Sequence, residues 1–225
     1  MSSKTLHNRT AAMFQELGKD GGLLDYGPNL SRLLIRVMRA LTQGRPVSNE
    51  QVDRIIADLG IARGDAHQFL SEVTERDADG NIAGIFGLSL NNTSHRFYVN
   101  GVRMSAWCAE DTLFLPAMLE QTATVESKSP VSGEKIRLTI SPQRVKEVSP
   151  IDAVVSMIIV ESDKADMSSV ESIWSTFCHH IHFFASREEA EQWAAGRDNI
   201  EILSVNESFE LGKQISSRFL VYGQP

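Results

Sequence analysis

Residues 29–73 read NLSRLLIRVMRALTQGRPVSNEQVDRIIADLGIARGDAHQFLSEV, and apolar residues return through this stretch at intervals of three and four, the signature of amphipathic helices. Leu30, Leu33, Leu34, Val37, Met38 and Leu41 form one face of a helix over 29–42, which Gly44 and Pro46 end. Ser48, with Gln51 three residues on, is the pattern of a capping box. It opens a second helix striped by Val52, Ile55, Ile56 and Leu59 and stopped by Gly60. Asp65 is expected to cap a third, carrying Ala66, Phe69, Leu70 and Val73. Three short helices joined this tightly should pack as a triangle.

The turn signal Asp77, Ala78, Asp79, Gly80 introduces two strand-like runs, 82–90 and 96–99, with a polar loop over 91–94. Three helices and a hairpin predict a winged-helix-like domain over 28–102, after an N-terminal extension over 1–27. From 103 to 225 the pattern changes. Strands are expected at 122–125, 136–140, 153–160 and 181–185, and helices at 112–120, 169–177, 186–195 and 207–220, with Ser186 and Glu189 as another capping box. The absence of a strict βαβ rhythm favours an α+β domain with a mixed sheet over a doubly wound parallel one.

The chain has 225 residues, 42% of them hydrophobic and 23% charged, a composition that excludes collagen-like and disordered classes. A net charge of −7 repels phosphate backbones and anionic lipid. Residues 28–80 carry seven arginines against eight carboxylates, so the winged-helix shape lacks the basic recognition element that DNA binding needs. A packing or lid role suits it better, and no nucleic-acid partner is expected. No apolar run approaches the roughly 20 residues of a membrane-spanning helix, and the first residues lack a signal-peptide core. The expectation is a cytoplasmic protein without a membrane partner. In a reducing compartment its two cysteines, Cys108 and Cys178, are not read as a structural disulfide.

Two stretches carry candidate chemistry. In Ser105, Ala106, Trp107, Cys108, Ala109, Glu110, Asp111, a helix starting near Cys108 would put Cys108 and Asp111 on one face of its first turn. The helix N-terminus would then favour a thiolate. Asp111, among Trp107, Leu113 and Phe114, would be desolvated enough to keep a proton near neutral pH. The same spacing fits a buried thiol beside a helix-terminus carboxylate. In the second stretch, Phe177 to Phe184, strand alternation would align Cys178, His180 and His182. With Cys108 they would make four zinc ligands, although no C-x2-C or H-x3-H spacing supports a zinc site. Neither a GxSxG elbow nor a Gly-rich phosphate loop occurs.

In order along the chain, HRFYVNGVRMSAWCAEDTLFLPAML (95–119), VESKSPVSGEKIRLTISP (125–142), AVVSMIIV (153–160), TFCHHIHFFAS (176–186), AEQW (190–193) and ESFELG (207–212) resemble the organomercurial, or alkylmercury, lyases. The likeness reaches back through GRPVSNEQV (44–52) and DADGNIAGIFGLSL (77–90). The pair AWCAEDTLFLP and FCHHIHFFAS is the most specific part.

The resemblance implies cleavage of a carbon–mercury bond by protonolysis, giving a hydrocarbon and mercuric ion, with 103–225 as the catalytic domain. It implies Cys108 and Cys178 as the catalytic thiols and Asp111 as the catalytic acid, all three in contact with mercury as substrate and product. No cofactor is implied. Low-mass thiols and a mercuric reductase are the implied acceptors of the product ion. Ser105, Ser129 and His179 depart from the family pattern and bear on substrate preference. The chemistry is reasonable on its own terms, because mercury is soft and thiolates are its preferred protein ligands. A second thiolate pushes electron density toward carbon, and a nearby acid then delivers the proton. From another class, a winged-helix sensor that binds soft metal without turnover fits the same residues.

Overall fold

The computed structural model describes residues 3–161 and 163–222. Helix α1 (Ser3–Gly18) is followed by α2 (Gly27–Leu41), α3 (Asn49–Leu59) and α4 (Arg63–Val73), the last three close to the ranges that periodicity predicts. Their apolar stripes meet: Leu33, Leu34, Val37, Met38 and Leu41 are fully buried, and each of the three helices packs on the other two. Ser48 accepts the Gln51 amide at 3.3 Å, and Gly60 closes α3 in the left-handed region at φ 63°. The expected cap at Asp65 is not made. The helix starts three residues earlier behind Ala62, leaving Asp65 in its first turn, where a carboxylate still complements the helix dipole.

Strands β1 (Thr74–Arg76), β2 (Ile82–Ile85), β3 (Leu88–Ser89), β4 (His95–Val99) and β5 (Val102–Ala106) come next. Helix α5 (Asp111–Leu119) then precedes β6 (Ala123–Lys128), β7 (Lys135–Ile140), β8 (Val145–Ser149) and β9 (Val154–Ile158). The chain continues through α6 (Val170–Thr176), a single 3-10 turn over Cys178–His180, β10 (Phe183–Phe184), α7 (Arg187–Ala194), β11 (Ile200–Ser204) and α8 (Val205–Leu220).

Eight strands form one sheet in the order β1-β2-β3-β5-β4-β6-β7-β8, and β10-β9-β11 form another. All ladders among the described residues are antiparallel. The architecture is α+β as expected, but its sheets are antiparallel rather than mixed, because hairpin connections reverse the chain between most neighbours. The run 82–90 is also two strands rather than one. Phe86 and Gly87, at φ 44° and 90°, turn the chain between β2 and β3, and β5 separates β3 from β4. Through β4 and β6 the large sheet passes across residue 102 without interruption.

Helix α5 is buried along its whole length, as expected of a helix apolar on all sides. It packs against α8 and α2, and its N-terminus marks where the site lies. Helix α1 lies on α8 and β11. Thr10 donates to the buried Glu201 carboxylate, and Arg9 donates to the Asp198 carbonyl at 3.3 Å.

Candidate active site

Residues 107–110 link β5 to α5 as a tight turn tied down on several sides. The Trp107 amide donates to the Gly87 carbonyl at 2.9 Å, and the Ala109 amide to the Ile181 carbonyl at 3.3 Å. Asp111 reaches back to accept the Cys108 amide at 2.7 Å, and the Thr112 hydroxyl donates to the Ala109 carbonyl at 2.7 Å. Cys108 therefore precedes the helix instead of sitting in its first turn. The second cysteine opens the 3-10 turn that follows α6, where the Ile181 amide closes onto the Cys178 carbonyl at 3.3 Å.

These two turns bring Cys108, Asp111 and Cys178 together, with one ligand atom from each lying within 4.8 Å of the others. They are 2%, 8% and 6% exposed. They border a cavity of about 90 Å³ whose other walls are largely apolar, among them Met13, Phe14, Leu17, Trp107, Phe177 and Ile181. Within such walls charge is costly. Burial pushes the Cys108 thiol well above its ordinary value, and a hydrogen bond with Cys178 raises it further. At Cys178 that hydrogen bond is the largest single effect and lowers the thiol, but burial together with the Asp111 and Glu75 carboxylates exceeds it and the thiol remains raised. Burial pushes Asp111 up to about 6, with the hydrogen bonds from Cys108 resisting. At neutral pH the site therefore rests as two thiols beside a carboxylate that is mostly ionised and able to take a proton.

This corrects three expectations. The thiolate that a helix N-terminus would favour at Cys108 is absent at rest, because desolvation exceeds the effect of a dipole whose helix begins three residues later. The Asp111 carboxyl is raised as expected, but only to about 6, so near neutral pH it is mostly ionised instead of keeping its proton. Nor do the histidines join the cysteines. Residues 178–180 form a 3-10 turn, so strand alternation does not apply to them. His182 binds the His179 carbonyl through Nε2 at 3.0 Å and meets the Trp193 ring edge-on at 5.3 Å. Among the described residues, the three-membered cluster that could hold a metal ion is Cys108, Asp111 and Cys178.

Other site residues were not singled out from sequence. Gly87 packs on Asp111 so closely that a Cβ would stand 2.7 Å from the carboxyl carbon. A glycine inside an apolar run was the available signal for a close backbone approach. Met13, Phe14 and Leu17 of α1 wall the cavity, although residues 1–27 read as an extension. Glu110 is buried beside Asp111 and takes a hydrogen bond from Ser208 of α8. Its carboxyl is held well above the ordinary range by burial. Of the three departures from the family pattern, Ser129 binds Glu189 at 2.7 Å, Ser105 is buried in β5, and His179 meets the Trp174 ring at 5.8 Å.

A buried pair of thiols with a proton-accepting carboxylate, facing an apolar chamber, defines a protein that handles a soft metal carrying an apolar group. A family model described as alkylmercury lyase matches residues 88–217. The alkylmercury lyase of Pseudomonas putida is 38% identical over 194 residues, 84% of each chain. That of Staphylococcus epidermidis is 36% identical over 185 residues, 81% of each chain, and that of Streptomyces lividans 34% over 209, covering 91% of this chain and 90% of the other. The solved mercury-bound form of MerB2 shares the fold, with a TM-score of 0.71 at 22% identity over 94% of this chain and 99% of that one. The chain belongs to the alkylmercury lyase family.

Proposed function

We propose that Cys108 and Cys178 are the mercury-binding thiols of this organomercurial lyase, and that Asp111 moves the proton in its carbon–mercury cleavage. The observation that carries the reading is the meeting of two sulfurs and a raised carboxylate at one wall of an apolar cavity. An organomercurial R–Hg–X first exchanges X for one protein sulfur, and the thiol proton leaves with X. Asp111 takes the proton of the second thiol as that sulfur bonds to mercury. The carbon–mercury bond then breaks with its electron pair on carbon, which accepts the proton from Asp111. The products are R–H and mercuric ion bridged by two thiolates.

The apolar walls of the cavity suit a hydrocarbon R group. In this reading no organic cofactor takes part. Low-mass thiols carry the substrate in and the mercuric ion out, and a mercuric reductase is the downstream acceptor. Residues 1–27, 28–102 and 103–225 divide by role into a cavity wall, a winged-helix-like packing module and the catalytic part. The module contributes Phe86 and Gly87 to the cavity and reads no DNA. The protein works in the cytoplasm. Among the described residues no helix is long and apolar enough to cross a membrane.

A sensor without turnover is disfavoured by relatives named as lyases over most of their length. The test is release of benzene from a phenylmercury salt with excess low-mass thiol. Many equivalents per chain are expected. Uptake of one equivalent of mercury with no benzene would contradict the reading.

A further inference from the structure

The two cysteines lie on separate segments, and besides the hydrogen bond between their thiols the backbone of Ile181 ties those segments together. Its carbonyl accepts the Ala109 amide at 3.3 Å, next to Cys108, and its amide closes onto the Cys178 carbonyl at 3.3 Å. Where Ile181 sits therefore determines how the two thiols face each other. Ile181 lies before β10, outside the regular ladder with β9, which pairs Phe183 with Val155 and Phe184 with Val154.

From β9, one side chain reaches over to hold this irregular segment. The Ser156 hydroxyl, on β9 and fully buried, donates to the His180 carbonyl at 2.8 Å and accepts the His182 amide at 3.0 Å. It thus brackets Ile181 on both sides. Its own amide donates to the His182 carbonyl at 3.0 Å. A single hydroxyl does here what the strand ladder does two residues later, so the chain can leave the sheet for the cysteine-bearing turn without abandoning buried backbone groups.

We propose that Ser156 is a positioning residue for the lyase reaction, setting the separation of Cys108 and Cys178 through Ile181 so that both sulfurs reach one mercury atom. This rests on the reading of the two thiols given above. Capture of an organomercurial by one sulfur needs no such register, whereas cleavage needs both sulfurs on the same atom. Loss of the hydroxyl therefore affects cleavage more than capture, and a displacement of about 1 Å is enough to cost on the order of 100-fold in rate.

The test is single-turnover reaction of phenylmercury with the full chain, Ser156→Ala and Ser156→Thr, following adduct formation by mass spectrometry and benzene by gas chromatography. Ser156→Ala is expected to take up one phenylmercury per chain at near the parent rate and to release benzene about 100-fold more slowly. Ser156→Thr, which keeps the hydroxyl, is expected to recover most of that loss. Benzene release by Ser156→Ala at the parent rate would overturn the proposal, as would equal loss of capture and cleavage. A threonine variant that folds and captures yet cleaves as slowly as the alanine variant would also overturn it. Collapse of the fold in the alanine variant would show that the hydroxyl holds the core rather than the site. If the parent chain itself releases no benzene, the reading of the thiols fails first, and the two failures remain distinct.

Discussion

Helices α2–α4 and the turn at 107–111 lie in one continuous core, yet they are built on opposite principles. In the helices local preference and tertiary packing agree: apolar stripes face inward, Ser48 caps α3, and Gly60 ends it in the left-handed region. In the turn they conflict. Cys108 and Asp111, with Cys178 brought against them from its own turn, are buried where burial raises all three, and Gly87 is pressed against Asp111 at a positive φ. The helices add stability. The turn gives some up, and what it gains is a site where a proton can move to carbon away from water.

The sharpest break between the regions is expected from the thiols. Cys108→Ser and Cys178→Ser should each lower turnover by at least about 1,000-fold, since groups that act as a unit fail together, and steady-state hydrocarbon release measures it. Gly87→Ala should follow, with a loss of about 100-fold, because the added methyl must displace the Asp111 carboxylate from a site that tolerates little misplacement. Parent-like kinetics for that variant would show that Asp111 is less constrained than its packing implies.

The difference in legibility follows the same division. Helices α2–α4 could be read from spacing because their residues obey local rules, and the error at Asp65 is one of three residues at a helix start. The cluster of Cys108, Asp111 and Cys178 was legible as residues, through AWCAED and FCHHIH, but not as geometry. Nothing local says that Cys178 lies on a 3-10 turn or that Asp111 binds the Cys108 amide, because Gly87 and Ile181 hold the Cys108 turn, and Ser156 the Cys178 segment, from distant parts of the chain. Strands β1, β5, β8 and β11 were not predicted. β1 and β8 are short edge strands, and the burial of β8 is too slight to leave a clear alternation. The apolar face of α1 finds its partners in α8 and β11 at the other end of the chain, which spacing within residues 1–27 cannot reveal.

A smaller effect separates the regions by pH. Asp111 must be ionised to take a thiol proton, so with its carboxyl at about 6 kcat/KM should fall about tenfold per unit as pH drops below that value. The stability effect has the opposite sign. A carboxyl raised from 3.8 to about 6 binds more protons folded than unfolded. Its contribution is favourable when protonated and is lost as pH rises through that window, at a cost of about 3 kcal/mol. Melting temperatures of the parent and Asp111→Asn should diverge in favour of the variant between pH 4 and pH 7. The smallest effect belongs to the helices. Ser48→Ala should cost about 1 kcal/mol in denaturant unfolding and leave turnover unchanged.

Asp111→Asn tests the central claim most directly. The amide preserves the shape of the carboxylate and leaves both sulfurs in place, but it cannot accept a thiol proton and pass it to carbon. Incubated with phenylmercury without excess thiol, the variant should hold one organomercury group per chain, seen as an intact adduct by mass spectrometry, with benzene release at least about 100-fold below the parent. Benzene release near the parent rate, with no adduct accumulating, would contradict the account and move the proton source away from Asp111.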